Sequence, residues 1–230
     1  MAAPHGKPRA GAAGGGTGAL RTATALGLLL ALATALAAGP AGCGRREPPA
    51  RATKVWPTGA ACLTALRAQG VRLQGWTAPA RGGCGVDTPV AVAGGTSTLV
   101  PALNTSCSLA LAWSGFEREV DRLARDHLGA GLARTLHMGS YACRRMTGSS
   151  GRLSLHASGR ALDIRGFALA DGRVVEVRSR WSAWGGEGRF LRAVAAAACR
   201  HFSATLTPNT DRWHQDHIHV DIGPWRVCGA

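Results

Sequence analysis

Apolar positions along the chain follow two rhythms. Cys62, Leu63 and Leu66 recur at helical spacing and stop before Gly70, which predicts a short helix over 60–69 with glycine at its C-terminal cap. Leu109, Leu111, Trp113, Phe116, Val120 and Leu123 keep the same rhythm and predict a long helix over 106–128, ending at Gly129. A third helix over 187–202 is marked by Phe190, Leu191, Val194 and Ala198 on one face. Between the helices, strand composition appears over 86–92 and 136–143, with a flexible glycine-containing loop at 148–151. Residues 161–169 and 173–177, joined by Asp171-Gly172, carry the signal of an antiparallel hairpin. Residues 217–222 alternate as a strand does. Helices and strands are interspersed but the hairpin is antiparallel. The expected class is therefore α+β, a single domain with a small antiparallel or mixed sheet flanked by helices.

Residues 44–57 are aperiodic and contain Arg, Pro and Glu, so 43–57 reads as a flexible tether and 58–230 as the domain. Before it, Lys7, Arg9 and Arg21 precede an uncharged, alanine-rich stretch from Thr22 to Gly39, the layout of a signal peptide over 1–42. Ala35-Leu36-Ala37 offers a peptidase site, whereas Pro40-Ala41-Gly42-Cys43 resembles a lipobox in which Cys43 becomes the lipidated residue. An uncleaved membrane anchor is the third option. Each predicts export to the periplasm or cell envelope.

Composition narrows the partners. The chain has 230 residues, 46% of them hydrophobic, enough for a self-sufficient core. Its 27 Lys and Arg against 13 Asp and Glu give a net charge of +14. The cations are nearly all Arg and are scattered, no basic run is interleaved with aromatics, and one Tyr and four Phe leave little to stack on bases. Nucleic acid is therefore not expected; attraction to peptidoglycan or another acidic envelope polymer is. With Cys43 set apart, Cys62, Cys84, Cys107, Cys143, Cys199 and Cys228 form an even set without Cys-x-x-Cys spacing. They predict three disulfides rather than a thiolate metal site, with Cys62–Cys84 the one preferred pair.

The chemistry is concentrated in two segments. In His214-Gln215-Asp216-His217-Ile218-His219-Val220-Asp221, alternation places His217, His219 and Asp221 on one strand face and Ile218 and Val220 in the core. In the segment from Ser154 to Asp163, His156 and Asp163 stand seven apart, an odd spacing that lets them converge only if the chain turns at Ser158-Gly159. Together the segments supply two imidazoles and one carboxylate. Three protein ligands with an open fourth position is the arrangement of a catalytic zinc.

Ser154 to Asp163 matches Ser-x-His-x-x-Gly-x-Ala-x-Asp, and so resembles the signature of bacterial D-alanyl-D-alanine dipeptidases and carboxypeptidases. The terminal His217-x-His219 is similar to that of murein endopeptidases and lysostaphin-type enzymes. More closely, the chain from Cys62 to Cys228 resembles the bacterial extensin-like C-terminal domain family. Cys84-Gly85-Val86, Gly139 to Arg144, the His-to-Asp motif, Ala198-Cys199, Phe202 and His217 to Asp221 carry that likeness.

These resemblances imply a zinc-peptidase-like fold, shared with the hedgehog signalling domain, with His156, Asp163 and His219 as zinc ligands. They imply His217 as the catalytic histidine, with Asp216 the competing base, and His214 as a further active-site histidine. Arg144, near Tyr141, is implied as the oxyanion stabiliser, and Ser154 and Tyr141 as substrate-binding residues. Asp221 orients His219 or sits in water. Trp213 lines a groove or the core, and His127 and His137 read as structural. The implied activity is zinc-dependent hydrolysis of peptidoglycan peptide bonds, of the D,D-carboxypeptidase or murein endopeptidase type. The alternative is a non-catalytic wall-binding or structural module, with or without metal.

Overall fold

The computed structural model describes residues 54–149 and 151–230. The leader and Cys43 therefore lie outside the described residues. In order the elements are α1 (Gly59–Ala68), β1 (Arg72–Gln74), β2 (Pro89–Gly94), β3 (Thr98–Ser106), α2 (Cys107–Leu128), β4 (Leu132–Gly139), a 3-10 turn (Leu155–Ser158), β5 (Ala161–Leu169), β6 (Val174–Glu176), α3 (Val177–Arg180), α4 (Gly186–His201), β7 (Ala204–Leu206), β8 (Ile218–Asp221) and β9 (Val227–Cys228). The strands form one mixed sheet in the order β1-β2-β3-β4-β5-β8-β7-β9, with β6 paired to part of β5. Only β3–β4 and β7–β9 run parallel among the described residues.

The long helix forms where periodicity places it. Ser106 caps its start by accepting from the Leu109 amide at 3.3 Å, and Gly129 closes it in the left-handed conformation at φ 74. Its apolar face buries Leu109, Trp113, Phe116 and Val120 against α4, which contributes Phe190, Leu191 and Val194. Leu162 and Ile164 of β5 and Ile218 and Val220 of β8 complete this core. The opposite, helix-free side of those strands is where the polar partners lie, because a strand turns alternate residues to opposite faces. The Asp171-Gly172 hairpin forms as the sequence indicates, with Leu169 donating to Arg173 O at 2.8 Å.

Several boundaries differ from expectation. The strand expected over 136–143 occupies Leu132–Gly139 and ends where Gly139 takes φ 116, so 140–143 is irregular. The strand expected over 86–92 starts later, at Pro89. The sequence pattern gave no indication of β1, β3, β7 or β9. The preferred Cys62–Cys84 bridge is wrong: the bridges are Cys62–Cys107, Cys84–Cys143 and Cys199–Cys228. Cys62 lies on the inward face of α1, directly against the first turn of α2, whereas Cys84 lies in the long loop after β1 and meets the segment after β4. Proximity in sequence loses to packing.

A candidate metal centre on the open face of the sheet

The centre rests on two central strands and one turn. Asp163 of β5 and His219 of β8 are direct cross-strand partners, and antiparallel partners project to the same side. Their ring and carboxylate meet at 2.8 Å, His219 Nδ1 to Asp163 Oδ1. His156 reaches the pair from the 3-10 turn. The Ser154 hydroxyl starts that turn by accepting from the His156 amide at 3.3 Å, and Gly159 ends it at φ 60. A side chain at Gly159 would be strained twice over, since a Cβ there would lie 2.8 Å from the Ser106 amide nitrogen. The Gly159 carbonyl accepts from that amide at 3.0 Å and from the Thr105 and Ser106 hydroxyls at 2.8 Å. This backbone is thus tied to the junction of β3 and α2.

Outer hydrogen bonds decide which ring atoms point inward. His156 Nδ1 donates to Ser140 O at 2.6 Å, which leaves Nε2 facing Asp163 Oδ2 and His219 Nδ1, each at 3.3 Å. His219 Nε2 faces Asp221 Oδ2 at 3.5 Å, leaving Nδ1 for the centre. Asp221 is buried, accepts from the Gly223 amide at 2.8 Å and from Trp225 Nε1 at 3.2 Å, and therefore orients His219 rather than sitting in water. The inward atoms of His156, Asp163 and His219 all lie within 4.8 Å of one another. Burial disfavours a charged His219, but its bonds to Asp163 and Asp221 outweigh that and hold its pKa up at about 9. Burial likewise opposes the Asp163 carboxylate, yet His156 and His219 keep it well below the ordinary range. The cluster is a pocket of negative charge and lone pairs that attracts a proton and fits a divalent cation in its place.

The other expected residues fall in three groups. His217 and His214 stand beside the centre: His217 Nε2 is 3.6 Å from Asp163 Oδ1, and the His214 ring is 5.8 Å from that of His219, centre to centre. Asp216 Oδ1 accepts from His217 Nδ1 at 2.8 Å, so it orients His217 and does not itself point at the ligands. Arg144 and Ser154 line a cleft of about 530 Å3 above the centre. Tyr141 does not line it; its ring packs edge-on against Trp76 and its hydroxyl donates to Pro79 O at 2.7 Å. Trp213 stands half-exposed at the rim, with the Arg212 guanidinium stacked on it at 4.6 Å. His137 binds Pro101 O at 2.8 Å, away from the cleft.

Sequence reasoning missed Asp211, whose carboxylate accepts from His214 Nδ1 at 2.7 Å. Its position three residues before a candidate histidine was the available signal. Burial pushes His214 below the ordinary imidazole range, and Asp211 offsets this only in part. It also missed the apolar lining of Met138, Met146, Leu155, Leu206 and Trp225, which comes from five separate stretches of chain.

No curated protein and no solved structure matches the chain. The family model described as extensin-like protein C-terminus matches residues 60–229, a span that contains the capped turn, both central strands and all six bridged cysteines. The chain belongs to the extensin-like C-terminal family.

Proposed function

We propose that the protein is a zinc-dependent hydrolase of the cell envelope that cleaves peptide bonds of peptidoglycan. The observation that carries this reading is the convergence of His156 Nε2, the Asp163 carboxylate and His219 Nδ1 within 4.8 Å, beneath an open cleft. Two imidazoles and one carboxylate are a donor set suited to zinc, and each imidazole has its other nitrogen held by an oxygen, as zinc-binding histidines require. Zinc held by these three residues supplies Lewis acidity, which acidifies a water molecule toward neutral pH and polarises an amide carbonyl.

The chain's own groups supply the rest. Asp216 fixes the His217 proton on Nδ1, so Nε2 is free at the cleft to accept a proton from the attacking water. The proton that His217 takes from the water is the one it passes to the departing amine, while Asp211 holds His214 through Nδ1 and leaves its Nε2 as a hydrogen-bond acceptor beside the centre. Arg144 at the cleft wall is placed to stabilise negative charge developing on the carbonyl oxygen. The Ser154 hydroxyl remains at the cleft while capping the turn that holds His156. Three disulfides suit an oxidising, exported location. The basic chain suits an acidic polymer as partner, and no helix among the described residues is long and apolar enough to cross a membrane.

The test is release of soluble peptides from purified sacculi by the full chain, with zinc and after chelation. The expected result is zinc-dependent release that His156→Ala abolishes. Zinc-loaded, folded protein that releases no more than His156→Ala overturns the hydrolase reading. Retention on the sacculi in that case points to a binding module.

A further inference from the structure

Above the centre, residues 143–149 and 151–154 run against each other as a short flap. Arg145 bridges to Leu153, Met146 N donates to Arg152 O at 2.9 Å, and Ser154 N donates to Arg144 O at 3.0 Å. This register puts Arg144 opposite Ser154 and Met146 opposite Arg152. Strand alternation then collects Arg144, Met146, Arg152 and Ser154 on one face and turns Arg145 and Leu153 to the other. The first four line the cleft and the last two do not. The Cys84–Cys143 bridge secures the base of the flap.

Two guanidiniums therefore look into the same cleft from adjacent rungs. Among the described residues neither takes part in an ion pair. Among the described residues Arg144 donates only to Arg145 O, at 3.4 Å, and the Arg152 side chain makes no hydrogen bond. The acids of the cleft are otherwise engaged: Asp163 by two imidazoles, Asp211 by His214, and Asp221 by Trp225 and His219. Two like charges at diagonal positions on one face of a hairpin repel each other, and an anionic ligand between them supplies the counter-charge.

We propose that Arg152 anchors a carboxylate of the substrate, one rung farther from the centre than Arg144. This rests on the hydrolase reading for the identity of the substrate as a peptide. Diagonal neighbours on such a hairpin lie about 7–8 Å apart, the reach of about two extended residues at roughly 3.3 Å each. The carboxylate accordingly lies about two residues from the carbonyl beside Arg144. Met138, Met146, Leu206 and Trp225 give the same cleft an apolar lining. The ligand class is a short peptide with an apolar side chain and a nearby carboxylate, either a free C-terminus or an acidic side chain.

The test uses the full chain stripped of zinc, so that no metal competes for the carboxylate, and calorimetric titration with three acetylated peptides of one apolar sequence. One ends in a free carboxylate, one in a carboxamide, and one in a carboxamide with a glutamyl side chain. At least one acid peptide is expected to bind about tenfold or more tightly than the neutral one, the order of a charge-assisted hydrogen bond. The tighter of the two identifies the source of the carboxylate. Arg152→Gln is expected to erase the preference at an unchanged melting temperature, and Arg152→Lys to restore it in part. Equal binding of neutral and acid peptides, a preference that survives Arg152→Gln, or binding of none of the three overturns the proposal. Zinc-dependent release from sacculi separates the two readings. Carboxylate preference without that release overturns the hydrolase and leaves the anchor, and release without preference does the reverse.

Discussion

Two carboxylates sit inside this domain in opposite circumstances. Glu117, on α2, is 1% exposed and closes the turn between β2 and β3, accepting from the Thr96 and Ser97 amides at 2.9 and 3.2 Å and from the Ser97 hydroxyl at 2.6 Å. Thr135 of β4 extends the chain by bonding the Ser97 hydroxyl at 2.9 Å. Every partner of Glu117 is a donor from the fold itself, and burial still pushes its pKa up. Asp163 is also largely enclosed, yet its partners are titratable imidazoles from the 3-10 turn, from β8 and from the residue just before β8, its pKa is driven down, and its surroundings open onto a cleft. Burial alone does not mark a functional acid. What separates the two is the identity of the partners: fixed amides and hydroxyls serve the fold, whereas convergent lone-pair donors with an open side serve a ligand.

Breaking the comparison at Asp163 has the largest effect. Asp163→Asn keeps the side-chain shape but removes the charge, so zinc per chain, measured by elemental analysis, is expected to fall to the background of chelated protein. Peptide release from sacculi falls with it. An Asp163→Asn protein that retains a full equivalent of zinc would show that the two acids do not differ in kind.

The complementary change is next in size. Glu117→Ala strands the Thr96 and Ser97 amides and leaves the Ser97 hydroxyl with Thr135 alone, and is expected to cost about 2–4 kcal/mol. That lowers the thermal midpoint by roughly 5–15 °C, while the folded fraction still binds one zinc. Loss of zinc with intact stability would reverse the assignment.

The smallest effect sharpens the contrast through pH. Because burial raises the folded-state pKa of Glu117 above its unfolded value, the folded protein binds more protons across the range just above the ordinary glutamate pKa. Stability from this group therefore falls as pH rises through that range. Glu117→Gln lacks the titration, so the stability gap between wild type and Glu117→Gln, read by urea denaturation, is expected to narrow from pH 4.5 to 7. A gap that widens would mean the amide bonds, not burial, dominate at Glu117.

The expected helices align closely with α1, α2 and α4 because an apolar stripe every three to four residues is a local property, complete within one segment. The Asp171-Gly172 hairpin was legible for the same reason. β3 was not. Thr98–Ser106 mixes exposed and buried residues without clean alternation, since it is paired on both sides and hands over directly to α2. Of the centre, the residue types and the need for a turn at Gly159 were visible. Asp211 was not assignable as a partner and Asp221 was left between His219 and water, because a carboxylate near a histidine in sequence has no stated direction until the backbone around it is placed.

By itself the sequence determined the class of fold, the even set of bridged cysteines and the two segments that bear the imidazoles and the carboxylate. The tertiary structure alone decided which cysteines meet, which nitrogen of each imidazole turns inward, that Asp216 serves His217, that Tyr141 faces away from the cleft, and that Arg144 and Arg152 share one face of a flap. The physical reason is the range of the interactions. Periodicity and turn chemistry act over a few residues, but Asp163 and His219 are 56 residues apart and His156 and His219 are 63 apart. Contacts that distant depend on strand register and core packing, which the whole chain sets together.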